Sequence, residues 1–205
     1  MAISSSSIIE DIDSMRKLGL ASLAFFYCDF REVQKKELRG LLSSFLVQLC
    51  DQSDSYSDVL LKLYLEHSNG SRQPSDNALV KCLQEILNLP GQAPVYLIFD
   101  ALDECPITLS LPSPREKVLM RVEELIEQQI PNLRICVTSR PETDINAILD
   151  PLTFHSISLH DEIGQMQDIE NYIRSIVNKD RMMRRWNVAD KQLVIEVLAN
   201  KADGM

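Results

Sequence analysis

The chain has 205 residues, of which 45% are hydrophobic and 25% charged, enough for one domain or for one domain plus part of another. Its formal net charge of −9 argues against nucleic acid and against a membrane as partners, because a duplex or an anionic bilayer would repel such a surface. The five cysteines are scattered without C-x-x-C spacing and the N-terminus has no signal-peptide pattern, so we predict a cytoplasmic protein with free thiols.

Helical and strand-like patterns alternate through the first half of the chain. Apolar residues spaced three and four apart between positions 38 and 49 share one helix face, and Ser75 or Asp76 is a suitable N-cap for a later helix. A continuous apolar run instead predicts a buried strand. The predicted elements are a helix at 6–19 that Gly19 ends, a strand at 20–30, and helices at 38–49, at 56–67 and from residue 75 to the LPGQAP turn.

The second half continues the alternation and then becomes helical. The predicted elements are strands at 95–100, 133–139 and 154–159, a helix at 115–130, and helices from Asp161 to the end. Strands that alternate with helices predict an α/β fold in which a parallel sheet is flanked by helices. We expect the sheet domain to occupy residues 1–160, and a helical subdomain to begin within 161–205.

Three carboxylates stand at the end of the predicted strand PVYLIFD and just beyond it: Asp100, Asp103 and Glu104. Such acids repel one another unless a cation lies nearby, and Mg²⁺ suits the position because it takes oxygen ligands, keeps several waters and bridges to phosphate. We therefore predict a Mg–nucleotide site in which Asp100 holds the metal and Asp103 or Glu104 acts on an attacking water. On this motif alone, a strand that simply meets solvent remains an open alternative.

A second polar group follows the next predicted strand. Thr138, Ser139 and Arg140 end the stretch LRICVTSR, and ligands of open α/β sheets bind beyond the carboxyl ends of the strands. A guanidinium there could reach a terminal phosphate, so we predict Ser139 and Arg140 as nucleotide-binding residues. An exposed arginine at a strand end is the alternative, but signals on two consecutive strands favour a shared site.

The chain resembles the NACHT domains of STAND-class P-loop NTPases, in particular the fungal group of NACHT or nephrocystin-type N-terminal domains. The segments that carry the resemblance span nearly the whole chain: SSIIEDI, LASLAFFYCDFRE, VYLIFDALDEC, LRICVTSRPE, FHSISL and LANKADGM. The resemblance implies that FDALDE is the Walker B segment, with Asp100 as the magnesium acid and Asp103–Glu104 as an additional acidic pair. It also implies that VTSRPE is the sensor strand, with Arg140 contacting phosphate.

The glycine-rich phosphate loop of this family, G-x-x-x-x-G-K-[ST], is absent from the sequence. In the family, the helix that SSIIEDI resembles follows that loop directly. The resemblance therefore implies a P-loop NTPase-like core that lacks its first strand, as in a truncated or degenerate member. Because the loop's amides and lysine supply most of the grip on phosphate, we expect the family's cofactors, Mg²⁺ and ATP or GTP, to bind this chain poorly.

The function that the resemblance implies is a signalling switch controlled by ATP or GTP, weak or inactive in hydrolysis by itself. Its partners would be other protein domains, or copies of itself, in the full-length parent. A second interpretation is an interaction module that keeps the fold but not the turnover. A third, a phosphohydrolase with Asp100 as nucleophile, is disfavoured because Asp100 and Asp103 are three apart, whereas that chemistry generally uses acids two apart. We assign no metal to His155 and His160.

Overall fold

The computed structural model of the protein describes residues 2–29, 31–32, 37–157 and 163–201. The backbone contacts divide the chain into two units, Met1–Leu152 and Thr153–Met205, and each is described by itself. The expected boundary at residue 160 falls within 158–162, outside the described residues, so it stays a prediction.

The first unit contains three strands, six helices and two short 3₁₀ turns among its described residues. The strands are β1 (Ser22–Tyr27), β2 (Val95–Asp100) and β3 (Leu133–Val137). The helices are α1 (Ala2–Lys17), α2 (Leu38–Cys50), α3 (Asp54–Glu66), α4 (Asp76–Leu87), α5 (Pro114–Glu127) and α6 (Thr143–Leu149). The 3₁₀ turns span Leu102–Glu104 and Asp150–Leu152.

The three strands form one parallel sheet in the order β1-β2-β3. Ser22 pairs with Val95 at the start of the β1–β2 ladder, and Tyr27 pairs with Asp100 at its end. Val95 likewise pairs with Leu133 at the start of the β2–β3 ladder. The predicted α/β fold with a parallel sheet flanked by helices is therefore confirmed, and the carboxyl ends of all three strands lie at the same edge of the sheet.

The two faces of the sheet pack against different helices. On one face Phe26 and Phe99 join the main core with the apolar faces of α2, α4 and α5. On the other face Leu23 and Ile98 pack with Ile12 of α1. All six apolar residues predicted to share one face of α2 are buried: Leu38, Leu41, Leu42, Phe45, Leu46 and Leu49. Because helices cover both faces of the sheet, the side chains of β2 are buried on both sides, and β2 is the most deeply buried of the three strands.

The two edge strands differ in how their backbone is covered. Gln48 of α2 and Gln52, in the turn after that helix, reach β1, where each side-chain amide both donates to and accepts from one strand residue, Phe25 and Leu23 respectively. These bonds satisfy polar groups that an edge strand would otherwise offer to another chain. β3 pairs with β2 alone among the described strands, and its residues are half-buried or exposed.

Several helix starts follow local sequence signals. Ser75 caps α4 by accepting a hydrogen bond from the Ala78 amide, which confirms the predicted N-cap. Ser113 and Glu116 form a reciprocal capping box at the start of α5, with Pro114 at the first helical position. α1 ends at Lys17, and Gly19 follows with a φ of +72°, a conformation that glycine adopts readily.

The second unit is helical, with α7 (Ile163–Lys179), a 3₁₀ turn (Met183–Arg185) and α8 (Val188–Lys201). The strand predicted at 154–159 is wrong for residues 154–157, which pair with no strand, and its remaining residues lie outside the described ranges. An alternating apolar pattern forms a strand only where a neighbouring strand completes the ladder, and Phe154 and Ile157 are exposed instead. None of the helices in the described ranges is long and apolar enough to cross a bilayer.

Candidate functional site

The candidate site lies at the edge of the sheet where the three strands end. β1 leads into Cys28 and Asp29, β2 ends at Asp100, and β3 leads into 138–140. We call residues 100–105 the acid loop. Parallel strands place their carboxyl ends together, so three loops that are distant in sequence converge on one surface.

Asp100 is buried at the end of the central strand, with 4% of its surface exposed. The Thr138 hydroxyl donates a 2.5 Å hydrogen bond to Asp100 Oδ1, and the Cys28 amide donates to the Asp100 carbonyl at 2.9 Å. Among the residues that the structure describes, no other side chain donates to this carboxylate and no cation pairs with it. A buried carboxylate with a single neutral donor is costly, which makes Asp100 a candidate cation ligand.

The chain turns sharply directly after Asp100. Ala101 adopts the left-handed region, with φ 54° and ψ 49°, at a cost of roughly 1 kcal/mol or more for a residue other than glycine. Two hydrogen bonds to Thr138 hold this turn. The Ala101 amide donates to Thr138 Oγ1 at 3.0 Å, and the Leu102 amide donates to the Thr138 carbonyl at 2.9 Å. Leu102 is fully buried. Thr138 therefore holds both Asp100 and the turn that presents the other two acids.

Asp103 and Arg140 join the acid loop to the loop after β3. The Arg140 amide donates to Asp103 Oδ1 at 2.9 Å, and Arg140 Nε lies 3.4 Å from Asp103 Oδ2. The Asp103 side chain is 6% exposed, whereas that of Arg140 is 69% exposed. The structure thus brings these two predicted site residues into direct contact, and it gives the Asp103 carboxylate a structural partner.

Arg115 of α5 holds the acid loop from inside the protein. Its Nη2 donates to the Asp103 carbonyl at 2.5 Å and its Nε donates to the Cys105 carbonyl at 2.9 Å. The third nitrogen, Nη1, lies 3.3 Å from the Asp144 carboxylate of α6. Sequence reasoning missed this residue because an arginine in a helix rich in charges is typically exposed, and only the buried contacts distinguish it.

The remaining predicted residues lie at the rim of the site. Glu104 is half-buried in the 3₁₀ turn, and Ser139 is half-buried with its hydroxyl donating to the Arg140 carbonyl at 2.9 Å. Arg31, which sequence reasoning also missed, lies in the loop after β1, where its hydrogen bonds to Asp29 raise the pKa of its guanidinium, with a smaller contribution from the charge of Glu104. All three strand ends therefore contribute charged groups to this surface.

The donor set fits a metal that keeps most of its own water. No three His, Cys, Asp or Glu side chains form a metal-binding group within the described ranges. Asp100 can offer its carboxylate, whereas the Thr138 hydroxyl already bonds to Asp100 and Ala101 and the Asp103 carboxylate is occupied by Arg140. Mg²⁺ is commonly held by one or two carboxylates together with waters and phosphate oxygens, so these residues fit such an ion as part of a Mg–nucleotide complex.

Two thiols lie beneath the site. Cys28 and Cys105 are buried, and their Sγ atoms are 3.2 Å apart. The interaction with Cys105, followed by burial and by the charges of Asp100 and Asp103, raises the pKa of the Cys28 thiol well above its usual range. These effects all favour the protonated form of the Cys28 thiol.

A family model described as nephrocystin 3, N-terminal matches residues 2–140 of the chain. The chain belongs to the nephrocystin 3 N-terminal family. The match spans α1 to Arg140, so it includes the whole sheet, the acid loop and the loop after β3. The nephrocystin-type resemblance predicted from the sequence is confirmed for this part of the chain. No curated protein and no solved structure matches the chain.

Proposed function

We propose that this member of the nephrocystin 3 N-terminal family is part of a NACHT-type signalling switch of the STAND class, controlled by Mg–ATP or Mg–GTP and weak or inactive in hydrolysis by itself. The observation that supports the proposal best is the buried Asp100 carboxylate, which has no cation partner among the described residues and lies at the carboxyl end of the central strand. The exposed Arg140 guanidinium lies at the end of the neighbouring strand.

Each residue has a defined role in this proposal. Asp100 would hold Mg²⁺, with Thr138 fixing the orientation of its carboxylate. When bound, Mg²⁺ would supply positive charge that offsets the carboxylates, and the nucleotide would supply phosphate oxygens as further ligands of the metal. Arg140 and Ser139 would contact phosphate, which requires the Arg140 guanidinium to leave Asp103. Glu104, whose side chain has no hydrogen bond or ion pair within the described ranges, would orient water, with Asp103 as its neighbour in the predicted pair.

The charge of the site argues that nucleotide binds weakly to this chain by itself. Asp100, Asp103 and Glu104 face a polyanion, and the sequence has no glycine-rich loop with a lysine to offset the repulsion. Arg31 and Arg140 supply exposed positive charge at the rim, while the guanidinium of Arg115 is committed to the acid loop. We expect a dissociation constant for Mg–ATP on the order of 1 mM or weaker.

Titration of the purified chain with Mg–ATP, followed by backbone amide NMR, tests the proposal. Amide shifts should concentrate at 100–105 and 138–140, and Arg140→Ala should weaken binding by about 3- to 10-fold. Arg39→Ala provides a control, because Arg39 is a half-buried arginine of α2 paired with Asp76 outside the site. The control should bind like the wild type. Unchanged binding in Arg140→Ala, or shifts elsewhere on the molecule, would contradict the proposal.

The second candidate function is a protein-interaction module that keeps the fold without turnover. The Asp103–Arg140 pair favours it, because this pair already neutralises part of the site with no ligand. The apolar side chains of Leu109 and Leu111, which are exposed in the loop before α5, also favour a surface for other protein domains or for self-association. A genomic coding sequence for a glycine-rich G-K-[ST] loop directly upstream of Met1 would favour the switch, and its absence would favour the module.

A further inference from the structure

Two buried cysteines from different parts of the chain meet at the base of the acid loop. Cys28 directly follows β1 and Cys105 is the last residue of the acid loop, with 4% and 1% of their surfaces exposed. Their Sγ atoms lie 3.2 Å apart across 77 positions of sequence. All five cysteines are free thiols, and within the described ranges no other pair has its sulfur atoms in contact.

We propose that Cys28 and Cys105 form a reversible disulfide that ties the end of β1 to the acid loop when the protein meets a peroxide. A disulfide needs its sulfur atoms about 2.05 Å apart, so the two Sγ atoms must approach by about 1 Å. Side-chain rotation and small backbone shifts can supply this movement. The pair differs in this respect from scattered cysteines, which would need large backbone movements before they could join.

The backbone on both sides is already held in place for the bond. The Cys28 amide donates to the Asp100 carbonyl at 2.9 Å, which continues the β1–β2 ladder by one residue. The Cys105 amide donates to the Leu102 carbonyl at 3.1 Å, and the Cys105 carbonyl accepts from Arg115 Nε at 2.9 Å. These contacts keep the two sulfur atoms close without the bond, so its formation orders little additional chain.

The reaction balances with hydrogen peroxide as the oxidant. Cys105, as its thiolate, attacks a peroxide oxygen, the O–O bond breaks, and with proton transfer the products are the Cys105 sulfenic acid and one water. The second thiol then attacks the sulfenic sulfur, forms the S–S bond and releases a second water. In sum, two thiols and one peroxide give one disulfide and two waters. A dithiol reductant reverses the bond by thiol–disulfide exchange.

We expect access to the pair from the side of the loop that follows Cys105. Ile107, Leu109 and Leu111 are exposed there, and residues 105–112 contain no helix or strand. Loops of this kind open locally at lower free energy than core elements, so a molecule as small as peroxide can reach Cys105. The disulfide would then fix the acid loop, and its effect on nucleotide binding rests on the proposed function, whereas the bond itself does not.

Treatment of the reduced, 205-residue wild-type chain with hydrogen peroxide, followed by mass spectrometry of the intact and digested protein, tests the proposal. We expect the chain to lose the mass of two hydrogen atoms, and the peptide containing Cys28 to be linked to the peptide containing Cys105. The melting temperature should rise by on the order of 5 to 15 °C and return to its original value with dithiothreitol. This peptide map needs no variant, so a folding defect cannot obscure it.

Three variants sharpen the result. Cys28→Ala and Cys105→Ala should each abolish the linked peptides, while Cys136→Ala, at a half-buried cysteine of β3, should retain them. The proposal is overturned if peroxide adds oxygen to Cys28 or Cys105 without linking them, or if another pair of cysteines becomes linked. A linked pair with an unchanged or lower melting temperature would overturn the claim that the bond stabilises the fold.

Discussion

Two arginines contact Asp103 from different surroundings. The side chain of Arg115 is 7% exposed and binds two backbone carbonyls of the acid loop, whereas the side chain of Arg140 is 69% exposed and binds the Asp103 carboxylate. If the Arg115 side chain moved away, two backbone carbonyls of the acid loop would lose their hydrogen-bond donor. The contacts of Arg140 can be exchanged for water or for a ligand at little cost.

Because of this difference, we assign a structural role to the buried arginine and a candidate binding role to the exposed one. Arg115 determines the shape of the loop that carries the acids, and Arg140 provides a charge that a phosphate could bind. Thr138 is intermediate between the two arginines in burial. Its half-buried hydroxyl donates to Asp100 and accepts from the Ala101 amide. Substitutions at the three positions should therefore destabilise the fold in the order Arg115, Thr138, Arg140.

Arg115→Met is expected to have the largest effect. It should lower the free energy of unfolding by about 2–4 kcal/mol, because the carbonyls of Asp103 and Cys105 and the Asp144 carboxylate all lose their donor. Urea unfolding followed by circular dichroism measures the change. Arg121→Met provides a control on the same helix, because Arg121 pairs with Glu124 one turn away, and it should cost less than about 1 kcal/mol. Equal losses in the two variants would contradict the structural role of Arg115.

Thr138→Val is expected to have an intermediate effect of about 1–2 kcal/mol. Valine keeps the shape of threonine but removes the donor to Asp100 and the acceptor for the Ala101 amide. Thr138→Ser keeps the hydroxyl and should recover most of the loss. The same urea measurement compares them, and a serine variant no more stable than the valine variant would show that the methyl group matters and the hydrogen bonds do not.

Arg140→Ala is expected to change the free energy of unfolding by less than about 0.5 kcal/mol. The ion pair with Asp103 is largely solvent-exposed on the arginine side, and the Arg140 backbone amide still donates to Asp103 after the substitution. Urea unfolding should therefore overlay with that of the wild type. A loss above 1 kcal/mol would place Arg140 with Arg115 as a structural residue and remove the contrast between them.

The fold of the first unit was predictable because its apolar patterns and capping residues match the helices, strands and buried faces that the structure shows. The apolar face of α2, the Ser75 cap of α4 and the continuous apolar run of β2 each correspond to an observed element. The strand predicted at 154–159 shows the limit of this reasoning. Alternation alone does not say whether a neighbouring strand exists, and residues 154–157 have none.

The candidate site was predictable only in its outline. The positions of Asp100 and Arg140 after two consecutive strands follow from chain order in a parallel sheet. The contacts of Arg115, the position of Arg31 near Glu104 and the Cys28–Cys105 contact join segments far apart in sequence. No periodicity within one element encodes such pairings, so they emerge only when the chain is folded.

Binding of Mn²⁺ in place of Mg²⁺ tests the central claim, that Asp100 and the neighbouring strand end form a metal–phosphate site, most directly. In the presence of ATP, Mn²⁺ should broaden the amide NMR signals of residues 100–105 and 138–140 in the wild type. Asp100→Asn should abolish that broadening, while Asp76→Asn, at an exposed acid of α4, should leave it unchanged. Equal broadening in wild type and Asp100→Asn would contradict the account.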